Sequence, residues 1–476
     1  MPASWPTSLT RPGSRLLVPD VAGLVGRLPS GRVLTAEDSL TAYLHDEGEW
    51  AVFGMPCAVV RAESTTEVAE VVRWCVETRT PLVCRGAGTG LSGAANAIEG
   101  SVVLSFERMN AILEVDELER WARVQPGVIN DDLRAHVAEV GLWYPPDPAS
   151  SPWSTIGGNV GTNAGGMCCV KYGVTRDYVL ELEVVTGMGE ITRLGRRTAK
   201  GVAGYDLVGL IVGSEGTLAV VTEIVVRLKP LPRVPITVAG YFDSLVDAGR
   251  AVAKVAESGI SPSALELVDR YCLEAVDAWK HMGLSVDANV VLIGRTDARG
   301  EQGDWEAAEL ARCFEEGGAT FAAVSSDEQE SEALYAARRL AYPAVERLGP
   351  VLTEDVCVPK GRVPEVLGRI EEIGKAHDVL IANLAHAGDG NLHPLIIVPA
   401  GDEDAKARAH DAFGDIIDAA LAAGGTVTGE HGVGTLKLEG LRKELSPASL
   451  ALHHAVKEAM DPYGILNPGK AIPSQT

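Results

Sequence analysis

The ten residues CRGAGTGLSG (Cys84–Gly93) restrict the fold more than any other stretch of this 476-residue chain. Gly88, Gly90 and Gly93 spell G-x-G-x-x-G directly after PLVC (Pro81–Cys84), an apolar run that reads as a strand. In a doubly wound dinucleotide fold the third glycine opens a helix whose N-terminus faces a pyrophosphate. Here only AANAIEG follows before SVVLSF (Ser101–Phe106), the next strand-like run, so there is no room for that helix. The loop therefore joins two strands, and its backbone N–H groups can receive an anion only as a nest. A tight turn explains two of the four glycines between Gly86 and Gly93 but not all of them.

Two more stretches share this character. TIGGNVGTNAGG (Thr155–Gly166) follows PPDPASSPWS, and VGSEGTLAVVTEI (Val212–Ile224) comes later. Glycine mixed with Asn and Thr lets a planar ligand lie against the main chain while amides bond its edge. Three such stretches in one region point to one large, extended cofactor. Strand-like segments surround them: CAVVRAE, ILEVD, WARVQPG and LAVVTEIVVRLKPLP. STTE (Ser64–Glu67) has the form of a capping box, and Val68, Val71, Val72 and Cys75 share one helical face behind it. Pro230, Pro232 and Pro235 mark a boundary. Beyond it, ITVAGYF and VVLIGR read as strands, and helices are predicted near Ser244–Glu257 and around residues 303–317 and 327–348. That βαβ-like alternation predicts a separate α+β domain. The organisation expected is 1–54, helical turns without a core of their own, then 55–232 and 233–476.

The second half carries HAGDGNLHP (His386–Pro394). Two glycines and an asparagine within four residues break a helix, and an odd separation on one straight strand sends two side chains to opposite faces. A hairpin resolves this. VLIANLAH (Val379–His386) and HPLIIV (His393–Val398) read as strands joined by Gly388-Asp389-Gly390-Asn391, which makes His386 and His393 cross-strand neighbours. A third ligand is offered by TVTGEHGVG, where strand-like TVT runs into Glu430-His431. Adjacent residues point apart, so only one of that pair is expected to join the two histidines. Two histidines and a carboxylate with an open position suit a catalytic divalent ion such as zinc, or manganese.

A net charge of −23 argues against nucleic acid or anionic lipid as the main partner. The eight cysteines contain no C-x-x-C pair, which removes local motifs for iron–sulfur clusters and zinc ribbons. No apolar run reaches the length of a membrane span, and LLVPDVAGLVG is not read as a signal peptide because Pro19 and Asp20 interrupt it. A cytoplasmic protein with reduced thiols is expected.

PLVCRGAGTGLSGAAN, PPDPASSPWSTIGGNVGTNAGG, KYGVTRDYVLELEVVTGMGEI and VGSEGTLAVVTEI resemble the FAD-binding domain of the vanillyl-alcohol-oxidase/PCMH type. HAGDGNLHPLI, TGEHGVGTLK and DPYGILNPGK resemble the FAD-linked oxidase C-terminal domain, in the glycolate oxidase and D-lactate dehydrogenase subgroup. The resemblance spans Met55 to Lys470 with its motifs in order. It implies an α+β fold: a PCMH-type FAD-binding domain of two α+β subdomains, and a C-terminal α+β domain with an antiparallel sheet. The extreme C-terminus would return to the FAD.

The resemblance also implies residue roles. Arg85, Gly86, Ala87, Gly88, Thr89, Gly90, Leu91, Ser92 and Gly93 would hold the FAD pyrophosphate. Pro146, Thr155, Gly158, Asn159, Asn163, Ala164, Gly165, Gly166 and Asn467 would lie by the cofactor, and Glu215-Gly216 by its adenosine half. Some relatives attach FAD covalently through a histidine in the first loop; this chain has none from Arg85 to Gly93, so non-covalent FAD is expected. His386, His393 and Glu430 would bind the metal, with His431 free as the base. A 2-hydroxy acid would lose its hydroxyl proton to His431 and its C2 hydride to the flavin. Arg338 in LYAARRLAYP would contact the substrate carboxylate, with Tyr342 one helical turn on; Arg339 reads as a solvated surface charge. LTEDVCVP offers Thr353 and Glu354 where the D-2-hydroxyglutarate branch has a lysine, which favours D-lactate or glycolate unless Arg347 or Lys437 serves instead. D-2-Hydroxyglutarate dehydrogenation is the alternative within this chemistry, and a zinc hydrolase the alternative outside it. Electrons would pass to oxygen, a quinone, a cytochrome or an iron–sulfur subunit. Such a subunit could bring the chain to the inner face of the membrane, and a homodimer is one assembly to consider.

Overall fold

The computed structural model describes residues 20–48, 50–282, 288–325 and 327–474. The first 19 residues, part of the segment expected to be helical turns, lie outside that description. Three sheets organise the rest. The first is four-stranded, in the order Val33–Leu34, Ala58–Arg61, Val102–Ser105, Leu82–Arg85. Its last three strands run parallel. The helix Thr65–Thr78 crosses between two of them and buries Val68, Val71, Val72 and Cys75, the face its periodicity predicts. The capping box is only half formed. Ser64 Oγ accepts from Glu67 N, but the Glu67 carboxylate accepts from Glu63 N and pairs with Arg32 instead of turning back to Ser64. The first described residues add Leu24 and Leu28 to this core rather than building one of their own.

The second sheet has five antiparallel strands, in the order Ile112–Asp116, Trp121–Val124, Ala219–Arg227, Val179–Thr186, Ile191–Gly195. The loop Gly86–Gly93 connects two neighbouring parallel strands of the first sheet without a helix, as its length requires. The second glycine-rich stretch differs from expectation. Ile156–Thr162 forms a short helix, started by Thr155, whose hydroxyl accepts from Gly158 N, and stopped by Asn163 in the left-handed region. A capping hydroxyl and an αL asparagine outweigh the poor helix propensity of three glycines.

The third sheet is antiparallel throughout, so the βαβ-like alternation of the sequence does not produce parallel pairing. Its main path runs Phe321–Val324, Ile236–Phe242, Val290–Thr296, Ala264–Asp269, Leu380–His386, Asn391–Ile397, Val351–Thr353. The helices Leu245–Ser258, Glu301–Gly317 and Val363–His377 pack into a core with Phe242, Leu292 and Ile396. The opposite face packs against Arg270–Lys280 and Glu328–Val345 through Val268, Val276, Ala341 and Leu395. The chain end returns to the first sheet. Leu82 N donates to Ile465 O and Asn467 N to Leu82 O, both at 2.8 Å. No helix among the described residues is long and apolar enough to cross a membrane.

Candidate active site

The hairpin forms, with its turn one residue earlier than expected. The second strand begins at Asn391, and Ala387–Gly390 make the turn, with Gly390 at φ 78°. His386 pairs with Asn391 and Leu384 with His393, so the two histidines are diagonal neighbours on one face rather than directly opposed. Their ring centroids lie 5.1 Å apart, at 86°.

Glu430 and His431 both reach this face, contrary to the expectation that only one would. TVT is not a strand; among its residues Thr426 alone forms an isolated bridge, to Cys357. The segment instead curls around the buried Asp355 carboxylate. Oδ2 accepts from the amides of Gly429, Glu430 and His431 at 3.1, 3.1 and 2.8 Å, and from the Thr428 hydroxyl at 2.6 Å. Three successive amides converging on one oxygen make a nest, and that curvature turns two consecutive side chains into one site. Glu430 Oε1 stands 3.1 Å from His386 Nε2 and 3.2 Å from His393 Nε2. The His431 ring stacks on His393 at 4.9 Å.

The donor atoms of His386, His393 and Glu430 lie within 4.8 Å of one another, as do those of Asp355, His393 and His431. Amides already saturate Asp355 Oδ2, so the first set fits a cation better. Neither ring nitrogen of His393 makes a hydrogen bond, although the residue is only 6% exposed. Such an orphaned, buried imidazole is what a divalent ion satisfies.

The electrostatics agree with that donor set. For His386, burial disfavours the charged ring, but the Glu266 and Glu430 carboxylates overcome it and raise its pKa well above the ordinary value. Burial likewise opposes the charge on Glu430, yet His386 and His393 hold it well below the carboxylate range. Burial pushes His431 down to about 4, so this ring stays neutral and able to accept a proton.

These groups line one end of a cavity of about 590 Å³. The other end is walled by Gly86, Ala87, Gly88, Thr89, Gly90 and Leu91, by Thr155, Gly158, Asn159, Ala164 and Gly165, and by Glu215-Gly216. Much of this wall is bare backbone: a Cβ at Gly161 would meet nothing within 4 Å. Asn159 lines the cavity and is buried, and its Nδ2 has no hydrogen-bond partner. An extended, hydrogen-bonding cofactor such as FAD fits this surface.

Seven residues expected at the cofactor do not line the cavity: Arg85, Ser92, Gly93, Pro146, Asn163, Gly166 and Asn467. They build its backing. The Arg85 guanidinium fills the space beneath Gly88. Ser92 donates to His431 O, and Gly93 packs against Ala51 and Thr435. Pro146 O accepts from Asn130, Asn163 Oδ1 accepts from Arg176 N, and Gly166 presses on the Asp147 backbone. Asn467 donates to Ala94 O and Glu215 O. Glu215 lines the cavity, but its carboxylate accepts from Val433 N and Gly434 N, both at 2.8 Å, which ties this wall to the loop after His431.

Arg338, Tyr342 and Thr353 also line the cavity, and the Tyr342 hydroxyl lies 3.2 Å from Thr353 Oγ1. Arg339, read from the sequence as a surface charge, is exposed but stands in the cavity lining with its guanidinium 5.0 Å from the Tyr335 ring. Lys437 is committed elsewhere: Nζ donates to Val427 O and sits 3.2 Å from Glu354. Arg347 stacks over Trp279 at 5.1 Å, away from the cavity lining.

Two acids escaped the sequence reading. Asp355 follows Glu354 in LTEDVCVP, where only Thr353 and Glu354 stood out. Glu266 and Asp269 are the two charged residues of the otherwise apolar strand ALELVD, a signal that was legible there.

A model of the FAD-binding domain matches residues 56–195, and a model of FAD-linked oxidases, C-terminal domain, matches residues 231–471. The chain belongs to the FAD-linked oxidases. Within this family it is 41% identical to glycolate oxidase subunit GlcD of Bacillus subtilis (strain 168), over 87% of this chain and 89% of the relative. It is 35% identical to a D-lactate dehydrogenase of Anaerostipes hadrus (92% and 94%) and 36% identical to a D-2-hydroxyglutarate dehydrogenase of Stutzerimonas stutzeri (strain A1501) (92% and 96%). Among solved structures, p-cresol methylhydroxylase with substrate bound superposes with a TM-score of 0.80 at 19% identity, covering 95% of this chain and 96% of that one, a likeness of fold. The protein is accordingly an FAD-linked oxidoreductase.

Proposed function

We propose that this oxidoreductase converts a small D-2-hydroxy acid, D-lactate or glycolate, to the 2-keto acid, with a divalent ion at His386, His393 and Glu430. The observation that carries this reading is the meeting of those three side chains with His431, Arg338 and Tyr342 at one end of a glycine-walled cavity. When bound, FAD supplies the hydride acceptor and the ion supplies Lewis acidity at the substrate oxygens. Arg338 pairs with the substrate carboxylate, and its burial makes that pairing strong. His431 takes the hydroxyl proton at a ring nitrogen that burial keeps unprotonated. Stacking on His393 fixes the plane of that ring beside the ion site.

The relatives named above act on such acids by their names, which supports this substrate class. A D-2-hydroxyglutarate reading draws on one relative and on Arg339, a cation in the cavity lining that could meet a distal carboxylate. The neutral Thr353 beside Tyr342 favours the monocarboxylate. One relative's name calls it a subunit, which supports passage of electrons to a partner chain. Anaerobic bleaching of the flavin by a panel of D- and L-2-hydroxy acids, with and without chelator, tests the whole reading. Rapid, chelator-sensitive reduction by D-lactate or glycolate is expected; no reduction by any 2-hydroxy acid refutes it. A higher kcat/KM for D-2-hydroxyglutarate refutes the monocarboxylate choice.

A further inference from the structure

We infer that Glu266 is a positioning residue shared by both arms of the site: it fixes the tautomer of His386 for the ion and anchors Arg338 for the substrate carboxylate. The inference rests on the reading that His386 holds a divalent ion and Arg338 an acid.

Glu266 sits in the middle of Ala264–Asp269, a strand buried at all six positions, and is itself 0% exposed. Leu267 pairs with Ala385, so one step along the ladder Glu266 comes opposite His386. Its oxygens lie 2.9 and 3.0 Å from His386 Nδ1, and Oε2 also lies 2.9 Å from Arg338 Nε. Arg338 is 4% exposed. One carboxylate, sealed from water, therefore holds two groups that belong to different elements and to different tasks.

The chemistry follows from what each atom can do. An ionised carboxylate only accepts, so His386 Nδ1 must carry the hydrogen. Nε2 is then the nitrogen left to ligate an ion in place of its proton, and Nε2 faces Glu430 Oε1 at 3.1 Å. Without Glu266 the other tautomer becomes available, and its Nε2–H cannot ligate a cation. On the second arm, Nε of Arg338 forms an ion pair with Glu266 Oε2 without a hydrogen bond, and the terminal nitrogens are left for a ligand in the cavity this arginine lines. Removing a buried carboxylate alone leaves its cationic partners uncompensated, so a loss of stability by itself does not mark a positioning role. This one faces an imidazole and a guanidinium whose orientation the proposed reaction needs.

The test is Glu266→Gln in the FAD-loaded protein. The amide keeps the volume, but its NH2 must face one of the two N–H donors. Zn²⁺ and Mn²⁺ affinities are measured by equilibrium dialysis, and kcat and KM for the acid at saturating ion. The variant is expected to bind the ion about 10–100-fold more weakly. Its KM rises even when the ion is saturating, while the flavin spectrum is unchanged. Arg338→Lys is expected to raise KM without weakening the ion. Unchanged ion affinity and unchanged KM in the Gln variant, beside a parent protein that does bind the ion, overturn this inference alone. A parent that binds neither Zn²⁺ nor Mn²⁺ overturns it together with the metal reading.

Discussion

A single methyl group added at Gly165 is expected to dislodge Glu430, although the two residues are 265 positions apart. A Cβ at Gly165 would stand 2.3 Å from Glu430 Oε2, 3.2 Å from its Cβ and 3.3 Å from its Cδ. Carbon atoms settle about 3.5–4.0 Å apart and oxygen only slightly closer, so the carboxylate must retreat by roughly 1 Å. A shift of that size changes the approach of Oε1 to His386 and His393, now 3.1 and 3.2 Å. Metal–ligand distances tolerate about ±0.2 Å, so this displacement is about five times too large for the ion to keep all three ligands. A misplacement of about 1 Å also costs on the order of 10²-fold in rate. Gly165→Ala should therefore lose bound metal and slow single-turnover flavin reduction by about that factor, while the FAD spectrum persists. The control is Gly414→Ala in the helix Glu403–Ala422, where a Cβ meets nothing within 4 Å and stability should rise by about 0.5–1 kcal/mol. Metal content and flavin reduction are the assays. A Gly165→Ala protein with the parent's metal content and rate refutes the proposed ligand geometry.

Three further outcomes are expected. His431→Ala should lose about 10²–10⁴-fold in turnover while FAD stays bound, measured as steady-state kcat against flavin absorbance; a near-parental rate removes the base assignment. Because burial holds the folded His431 ring down at about 4 and the unfolded ring titrates near 6.5, this group costs stability only as pH falls from the upper value to the lower. The same ring stays a proton acceptor through neutral pH, so the acid limb of kcat/KM should show no break near 6.5 from it, and a break there would count against its role. Acid precipitation should leave the flavin in the supernatant, since Arg85–Gly93 contains no histidine to hold it covalently; a yellow pellet contradicts this.

Some of this site was legible in the chain itself, because the relevant constraints are local. Strand alternation and the turn glycines put His386 and His393 on one face of a hairpin. The short spacing between Cys84 and Ser101 excluded a helix after the glycine loop. Motif order along the chain pointed to the family. The errors have local causes as well. A capping hydroxyl at Thr155 made a helix where glycines suggested a loop, and Arg32 drew Glu67 away from its capping box.

What lay beyond the sequence is everything that depends on elements distant in the chain meeting at one point. Nothing in TGEH states that Asp355, some 75 residues earlier, will gather its amides and turn both Glu430 and His431 into the site. Nor does ALELVD announce that Glu266 will face His386 across 120 residues, or LYAARRLAYP that Arg339 will stand in the cavity lining. Periodicity fixes which way a side chain faces within its own strand or helix. Which groups it then meets is decided by packing and strand register, which bury unlike charges together only where a partner from elsewhere in the chain is already in place.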